Sequence, residues 1–158
     1  GKFGPANPVT VAEALKMAFK AAQIDETQCG LVPPTFSQAM GHWAASFISC
    51  GQQRGLRILK DAHIDFNRPV KRAEVLAILD DVFQESVPAL ASNFKDTKGH
   101  PLEADIAYSA DRGIISGDQK NGVALGIFRP NDSINRAEVA KIVYLWLKQK
   151  MKQQLVKP

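Results

Sequence analysis

The sequence predicts a mainly α-helical domain built from repeated units, and two observations support this prediction. First, a phrase containing Phe, Pro, an aliphatic residue and Ala-Glu occurs three times in the 158 residues, at 3–13, 66–74 and 128–138. Second, the aliphatic anchors Val9, Val70 and Ile134 are each followed by apolar residues at helical spacing. Because regular self-similarity reflects the architecture of a whole chain, the repeat is stronger evidence for the fold than any single motif.

The first helix is expected to begin at Thr10, where the sequence supports a capping box. The Thr10 hydroxyl can accept an N–H of the first turn, and the Glu13 carboxylate can return a bond to the Thr10 N–H. Asn135 and Glu138 repeat this arrangement at the last helix, whereas Lys71 in the middle copy has no capping oxygen. We therefore expect three equivalent helix starts, of which the middle one is weaker or is capped by another group.

Apolar spacing predicts four further helical segments, at about 42–54, 71–84, 101–112 and 135–153. The first helix carries small residues such as Ala14 and Ala18 at sites where the third and fifth helices carry larger ones, so another helix can approach it closely. The second and fourth helices end in Arg-Gly, and Gly55 and Gly113 suit the left-handed conformation that follows many helices.

The repeat divides the chain into units. We expect the second half of a first unit at 1–28, a second unit at 29–87 and a third unit with a helical tail at 88–158, together one compact domain. The sequence opens in the middle of a unit, so part of the first unit is expected to be missing from it.

Two segments between the helices stand out. Residues 85–93 have the composition of a linker between units. Residues 114–128 form a long loop, and loops of this length inside a compact domain are usually functional. Within it, Asn121-Gly122 can turn a small hairpin.

The composition permits several partners. Hydrophobic residues make up 45% of the chain and the formal net charge is +4, which is compatible with nucleic acid, an anionic polysaccharide or a membrane surface. Much of the excess lies in the tail at Lys148, Lys150, Lys152 and Lys157, where a solvated helix end is the simpler explanation. No apolar run approaches the roughly 18 residues of a membrane span, and no signal peptide is evident.

The two cysteines, Cys29 and Cys50, are candidates for one disulfide, with two buried thiols as the alternative. A zinc site with His42 is disfavoured because the cysteines and histidines have no short ligand spacing, and no cofactor motif is found. His42 and His100 are expected at helix starts, bonded to backbone groups.

Several short motifs occur along the chain in a consistent order and spacing. The relevant segments are Gly41–Ala44, Phe94–Asp96, Arg112–Gly117, Phe128–Pro130 and Ile134–Glu138. Together they resemble the S-layer homology family over nearly the whole chain. The resemblance implies a pseudo-threefold repeat domain of helix–loop–helix units around a central helical bundle, with grooves between neighbouring units. It also implies non-covalent anchoring of an exported bacterial protein to the cell wall through an anionic, often pyruvylated, secondary polysaccharide, and hence a place on the extracellular surface.

In this family the arginine of the Arg-Ala-Glu phrase is the usual anion-binding residue, and Arg72 and Arg136 match it. Helix N-termini present free N–H groups and partial positive charge, and an adjacent arginine adds a planar fork that suits a carboxylate. The first copy has Val11 at this position, so at most two complete grooves are expected.

Three further residues are candidates for ligand contact. Gly117 and Asp118 are included because bare backbone lets a sugar come close. Trp43 lies at a structural position of the repeat, which favours a place in the core, with a platform for a sugar ring as the alternative. Pro101 stands at the equivalent position of the third unit. The ligand-binding candidates are Arg72, Arg136, Gly117, Asp118 and Trp43. Structural roles in capping or backbone shape are expected for Glu13, Glu74, Glu138, Gly55 and Gly113.

The sequence predicts a binding module without catalytic function, since it contains no nucleophile elbow, phosphate-cradling loop or metalloprotease motif. Two rival interpretations remain. The grooves can have degenerated, which Val11 favours, leaving a structural or protein-binding module. The basic charge can also indicate nucleic-acid binding, but the third and fifth helices place only scattered cations outward.

Overall fold

The computed structural model describes residues 4, 6–29 and 34–156, so Phe3, the loop residues 30–33 and Lys157 lie outside the described residues. The prediction of a mainly α-helical fold is confirmed. The elements are α1 Val11–Ala21, α2 Ala45–Gln53, α3 Arg72–Val82, α4 Glu103–Asp111, β1 Gln119–Lys120, β2 Val123–Ala124 and α5 Arg136–Val156. No helix within the described residues is both long enough and apolar enough to cross a membrane.

The helix starts follow the local sequence. Thr10 Oγ1 accepts the N–H of Glu13 at 3.2 Å and Glu13 Oε1 accepts the N–H of Thr10 at 3.1 Å, so the capping box of α1 is confirmed. At α5, Asn135 Oδ1 accepts the N–H of Glu138 at 2.8 Å, but the Glu138 carboxylate binds an arginine of another helix instead of returning a bond. Lys71 makes no side-chain cap, because its ammonium group has no acceptor for a helix N–H.

α2 and α4 begin a few residues later than predicted because a histidine holds a turn ahead of each. The Nδ1 atom of His42 accepts the N–H of Ala44 at 3.0 Å, and its Nε2 atom bonds Asn67 Oδ1 at 2.8 Å. His100 makes the equivalent pair of contacts at the same distances, with the N–H of Leu102 and with Asn131 Oδ1. The predicted bonding of both histidines to backbone groups is confirmed.

The segments before α1, α3 and α5 pair with one another and close a triangle. Isolated antiparallel bridges join Pro8 with Asn135, Thr10 with Pro69 and Lys71 with Ser133. The anchors Val9, Val70 and Ile134 are buried inside it, with the Val70 N–H donating to the Val9 carbonyl at 2.8 Å and the Val9 N–H donating to the Ile134 carbonyl at 3.0 Å. The three copies of the repeated phrase therefore pack together in the pseudo-threefold arrangement that the resemblance implied.

α1, α3 and α5 meet at the centre of this arrangement through equivalent positions of the repeat. A small apolar gap between them is lined by Ala14, Val75 and Val139, and by Ala18, Leu79 and Val143. Because α1 supplies alanine at both levels, it fits between its neighbours, and it contacts α2, α3 and α5. The prediction that another helix can approach α1 closely is confirmed.

Positive φ angles occur where the sequence predicts turns. Gly55 and Gly113 have φ of +75° and +72° just after α2 and α4. Asn121 and Gly122, at +52° and +78°, connect β1 and β2 as the two central residues of the predicted hairpin turn.

Cys29 and Cys50 are joined in a disulfide, with their Cα atoms 5.2 Å apart. The bond ties the short 3-10 turn Glu26–Cys29 to α2, where Cys50 is fully buried. It constrains the unfolded chain by closing a loop with a sequence separation of 21 residues.

Candidate functional site

The repeated Arg-Ala-Glu phrases meet across the helix interfaces. Arg72 at the start of α3 pairs through Nη1 with Glu138 of α5, and Arg136 at the start of α5 pairs through Nη2 with Glu13 of α1. Burial raises the pKa of Glu13, but hydrogen bonds from Thr10 and the charge of Arg136 outweigh burial, so this pKa is lowered. Each arginine therefore has a carboxylate partner within the protein itself.

The third pair of this series is missing because position 11 is a valine. Glu74 of α3, which would receive an arginine from position 11, instead binds Arg68 of its own copy in a bidentate pair at 2.9 and 2.8 Å. Burial raises the pKa of Glu74, but the bonds from Arg68 outweigh burial and lower it. The α1–α3 interface is thus held without an ion pair of the repeated type.

The expectation of free N–H groups at the helix starts is wrong for the first residues of α3 and α1. The N–H of Arg72 donates to the Asp132 carbonyl at 2.9 Å, and the N–H of Ala73 donates to the Pro130 carbonyl at 3.0 Å. Carbonyls at 66–68 accept the equivalent N–H groups of α1. Because the triangle of paired segments uses these donors, a ligand near the starts of α3 and α1 cannot use these N–H groups.

The cavity between α1 and α5, which we call groove 1, has a volume of about 970 Å³. It brings together two of the predicted site residues, Arg136 and Trp43. Lys16, Tyr144 and Leu147 also line it, so it combines positive charge with an apolar and aromatic wall. This combination suits a ligand with both an anionic group and an apolar face.

The preferred prediction that Trp43 lies in the core is wrong. Its side chain is 57% exposed on the rim of groove 1, and the Lys16 ammonium lies 5.8 Å from the centre of its ring. The turn that His42 holds ahead of α2 places residue 43 outside the helix, where its ring contacts the His42 ring at 5.6 Å between centroids. The alternative, an accessible platform, matches this position.

The cavity beside α5 and the loop 113–119, which we call groove 2, has a volume of about 480 Å³. It brings together the other three candidates, Arg72, Gly117 and Asp118. Arg72 is 8% exposed, its Nε donates to the Phe128 carbonyl at 2.9 Å, and its guanidinium lies 4.9 Å from the centre of the Phe128 ring. Arg72 is therefore a rigid wall of the groove, and its Nη2 donates to no acceptor among the described residues.

The floor of groove 2 is shaped by Gly117 and by an ion pair. At φ +75°, a Cβ on Gly117 would lie 2.4 Å from a Phe94 ring carbon and 2.8 Å from the Ile127 carbonyl oxygen. Asp118 is bound by Arg129 through bonds of 2.6 and 3.2 Å, which lower the pKa of its carboxyl group. Asp118 thus orients Arg129 toward the groove. Sequence reasoning missed Arg129, although it lies between Phe128 and Pro130 in the matched Phe-x-Pro phrase.

The third cavity, groove 3, lies beside α3 and has a volume of about 430 Å³. Its lining includes Glu74, Pro101 at the position equivalent to Trp43, and Ala77. It has no Arg-Ala-Glu arginine because the residue that would supply one is Val11, which is completely buried. Groove 3 therefore lacks the Arg-Ala-Glu arginine of grooves 1 and 2 and the tryptophan rim of groove 1, although Arg57 and Lys71 also line it.

These geometric features agree with the comparison with protein families. Residues 93–140 match the family model described as the S-layer homology domain. The chain contains an S-layer homology domain. The matched range includes Gly117, Asp118 and Arg136, and it ends within α5.

Relatives of this chain include proteins whose names describe enzymes. An amylopullulanase of Thermoanaerobacterium thermosulfurigenes is 29% identical over 130 residues, covering 80% of this chain and 7% of that protein. An uncharacterised cell wall amidase of Bacillus anthracis is 23% identical over 158 residues, 92% of this chain and 29% of that protein. The exoglucanase XynX of Acetivibrio thermocellus is 32% identical over 112 residues, 68% of this chain and 10% of that protein. The chain thus spans less than a third of the length of each of these relatives.

Proposed function

We propose that this chain anchors an exported bacterial protein to the cell wall by binding an anionic secondary polysaccharide in grooves 1 and 2. The observation that carries the proposal is the placement of the five ligand-binding candidates, which fall into two grooves that each contain an arginine of the repeated phrase. The family match and the relatives support a binding role for the chain on the cell surface.

Groove 1 has the properties of a sugar site with an acidic substituent. Trp43 offers an exposed ring on which the apolar face of a pyranose can stack, while Arg136 and Lys16 offer donors for a carboxylate. Tyr144, which is 64% exposed on α5, adds a second aromatic surface with a hydroxyl. A pyruvyl acetal combines a carboxylate with a methyl group and fits this mixture of charge and apolar surface.

Groove 2 is smaller and more polar. Gly117 leaves the backbone bare, and the unused Nη2 of Arg72 and the guanidinium of Arg129 supply planar donors. It therefore suits an acidic group held by hydrogen bonds more than a sugar ring stacked on an aromatic residue. Binding of one polymer at both grooves would raise the total affinity through effective concentration.

We propose no catalytic role for this chain. An S-layer homology domain is a binding domain, and the chain covers 7%, 29% and 10% of the three relatives with enzyme names. The division of labour we infer places catalysis in other parts of such proteins and attachment in the region that this chain matches.

The second candidate function is a structural or protein-binding module with degenerate grooves. The specific observation in its favour is that Arg72 and Arg136 already bind Glu138 and Glu13 and so join the helices to one another. In that case the arginines stabilise the bundle and the wall polymer does not bind.

Co-sedimentation with purified bacterial walls separates the two functions. We expect the chain to pellet with walls that carry a secondary polysaccharide and to stay in solution with the same walls after that polymer has been extracted. Trp43→Ala should weaken retention about 10-fold, because loss of one stacking platform removes about 1–2 kcal/mol. Met40→Ala, at a nearby side chain that is 69% exposed and lines none of the three grooves, is the matched control. Equal retention on intact and extracted walls would favour the second function.

A further inference from the structure

The arginines of grooves 1 and 2 cannot by themselves give either groove a net positive charge. Arg136 is paired with Glu13 and Arg72 with Glu138, so each pair sums to zero formal charge. An anionic ligand approaching such a pair meets a carboxylate as well as a guanidinium. A net attraction therefore requires another cation in the same groove.

The internal repeat identifies that cation. The residue three positions after the glutamate of each Arg-Ala-Glu phrase, or of its equivalent in the first copy, is Lys16 in α1, Ala77 in α3 and Lys141 in α5. One turn of helix separates each from its glutamate, so all three lie on the groove side, and they line grooves 1, 3 and 2 respectively. The two grooves that contain the Arg-Ala-Glu arginine also contain a lysine at this position of the repeat, and groove 3 has neither at these two positions, which are Val11 and Ala77.

Both lysines are exposed, and neither has an acidic partner within 4.0 Å among the described residues. The other cations of these grooves are engaged: Lys20 pairs with Glu26, and Arg129 pairs with Asp118 and Asp132. Lys16 lies near the Trp43 ring, 5.8 Å from its centre, so its ammonium is at the edge of the surface where a sugar would stack.

We propose that Lys16 and Lys141 are ligand-binding residues that make the principal charge contact with an acidic sugar, with Arg136 and Arg72 acting as neighbouring hydrogen-bond donors. This inference rests on the proposed function. The ligand class is a polysaccharide with a carboxylate or phosphate substituent, because a flexible ammonium binds either anion as a point charge. Lys71, an exposed residue that lines groove 3, lies at a different position of the repeat and is not part of this assignment.

The test measures retention on intact walls for four proteins of equal fold, checked by circular dichroism. They are the wild type, Lys16→Gln with Lys141→Gln, the charge-conserving Lys16→Arg with Lys141→Arg, and the control Lys98→Gln with Lys152→Gln. Lys98 and Lys152 are exposed and line none of the three grooves, so the control loses the same charge elsewhere.

We expect the glutamine variant to bind about 10-fold or more weakly, with a smaller dependence on NaCl concentration, while the arginine variant and the control stay within about twofold of wild type. If the glutamine variant were retained as well as the wild type, the assignment of the two lysines would be overturned, and the anchoring function would stand. An equal loss in the control would overturn the assignment too, because bulk charge would then explain retention. Failure of the wild type to bind intact walls would overturn both the anchoring function and this inference.

Discussion

Asp80 is a buried acid between α3 and α4 whose replacement by asparagine should stabilise the protein. Its side chain is 1% exposed, and neither carboxyl oxygen accepts a hydrogen bond from a described donor. Asp105 of α4, 2% exposed, is bound by Arg57 through bonds of 2.7 and 3.1 Å. Two adjacent carboxyl groups can share a hydrogen bond only when one is protonated, and Arg57 keeps Asp105 ionised.

The magnitude follows from the pKa of Asp80. Burial, the hydrogen bond to Asp105 and the negative charge of Asp105 raise it to about 9, from an ordinary value of 3.8. The folded state therefore binds this proton more tightly than the unfolded chain does, so stability falls as pH rises from about 4 to about 9. At pH 7 the cost reaches up to about 4 kcal/mol. An asparagine side chain at this position would carry no such cost, and its amide can donate to Asp105.

The assay is urea unfolding followed by circular dichroism at several pH values. Subtracting the wild-type free energy of unfolding from that of Asp80→Asn removes the contribution of all other carboxylates. We expect a difference near zero at pH 4 that grows by up to about 1.4 kcal/mol per pH unit and levels off near pH 9. Asp111→Asn, at an exposed position of α4, is the matched control and should show a small difference without this slope.

The opposite sign would refute this reasoning. The guanidinium of Arg112 packs between the rings of Tyr108 and Trp146, at 4.7 and 4.6 Å from their centres, and its nitrogens have no hydrogen-bond partner among the described residues. If Asp80 were instead ionised to balance Arg112, then Asp80→Asn would leave a buried charge unpaired. The protein would lose about 3–5 kcal/mol at pH 7.

Three further predictions concern stability and are checked by the urea midpoint. Gly117→Ala should lower the free energy of unfolding by about 2–4 kcal/mol, since it combines a positive φ with a clash against Phe94. Gly122→Ala, also at positive φ but with no atom within 4 Å of its Cβ, should lower it by about 1 kcal/mol. Equal losses for the two variants would contradict the role of the clash. Thr10→Ala removes the capping bond to Glu13 and should cost about 1 kcal/mol, and Thr10→Ser should restore most of it. Reduction of the disulfide should cost about 3 kcal/mol from its 21-residue separation, and an unchanged midpoint after complete reduction would refute this.

Local features of the fold were predictable because neighbouring residues determine them. The capping box at Thr10, the turns at Gly55 and Gly113 and the hairpin at Asn121-Gly122 each depend on backbone preferences within a few residues. Helix ranges followed from apolar spacing, and the error at α2 came from the ring of His42, which holds a turn where the apolar pattern predicts helix.

The candidate site was predictable in part. The repeat located Arg72 and Arg136, but it could not show that Glu138 and Glu13 would occupy them, because those partners come from other copies of the phrase. Lys16 and Lys141 carried a usable signal in the repeat, since they occupy one position of it. The repeat gave a misleading signal for Trp43, which it placed in the core, because core residues and exposed aromatic residues can both recur at one position of a repeat.

By itself the sequence determined the approximate ranges of α1 to α5, the capping box at Thr10 and the threefold repeat of one phrase, since these depend on local preferences and on periodicity. Only the tertiary structure decided which charges meet. The pairing of Asp80 with Asp105, 25 positions apart on different helices, and the gathering of Arg136 and Trp43 in groove 1 both depend on which helix faces come together. The physical reason is that ion pairing and burial act over a few ångströms in space, whereas a sequence records distance along the chain.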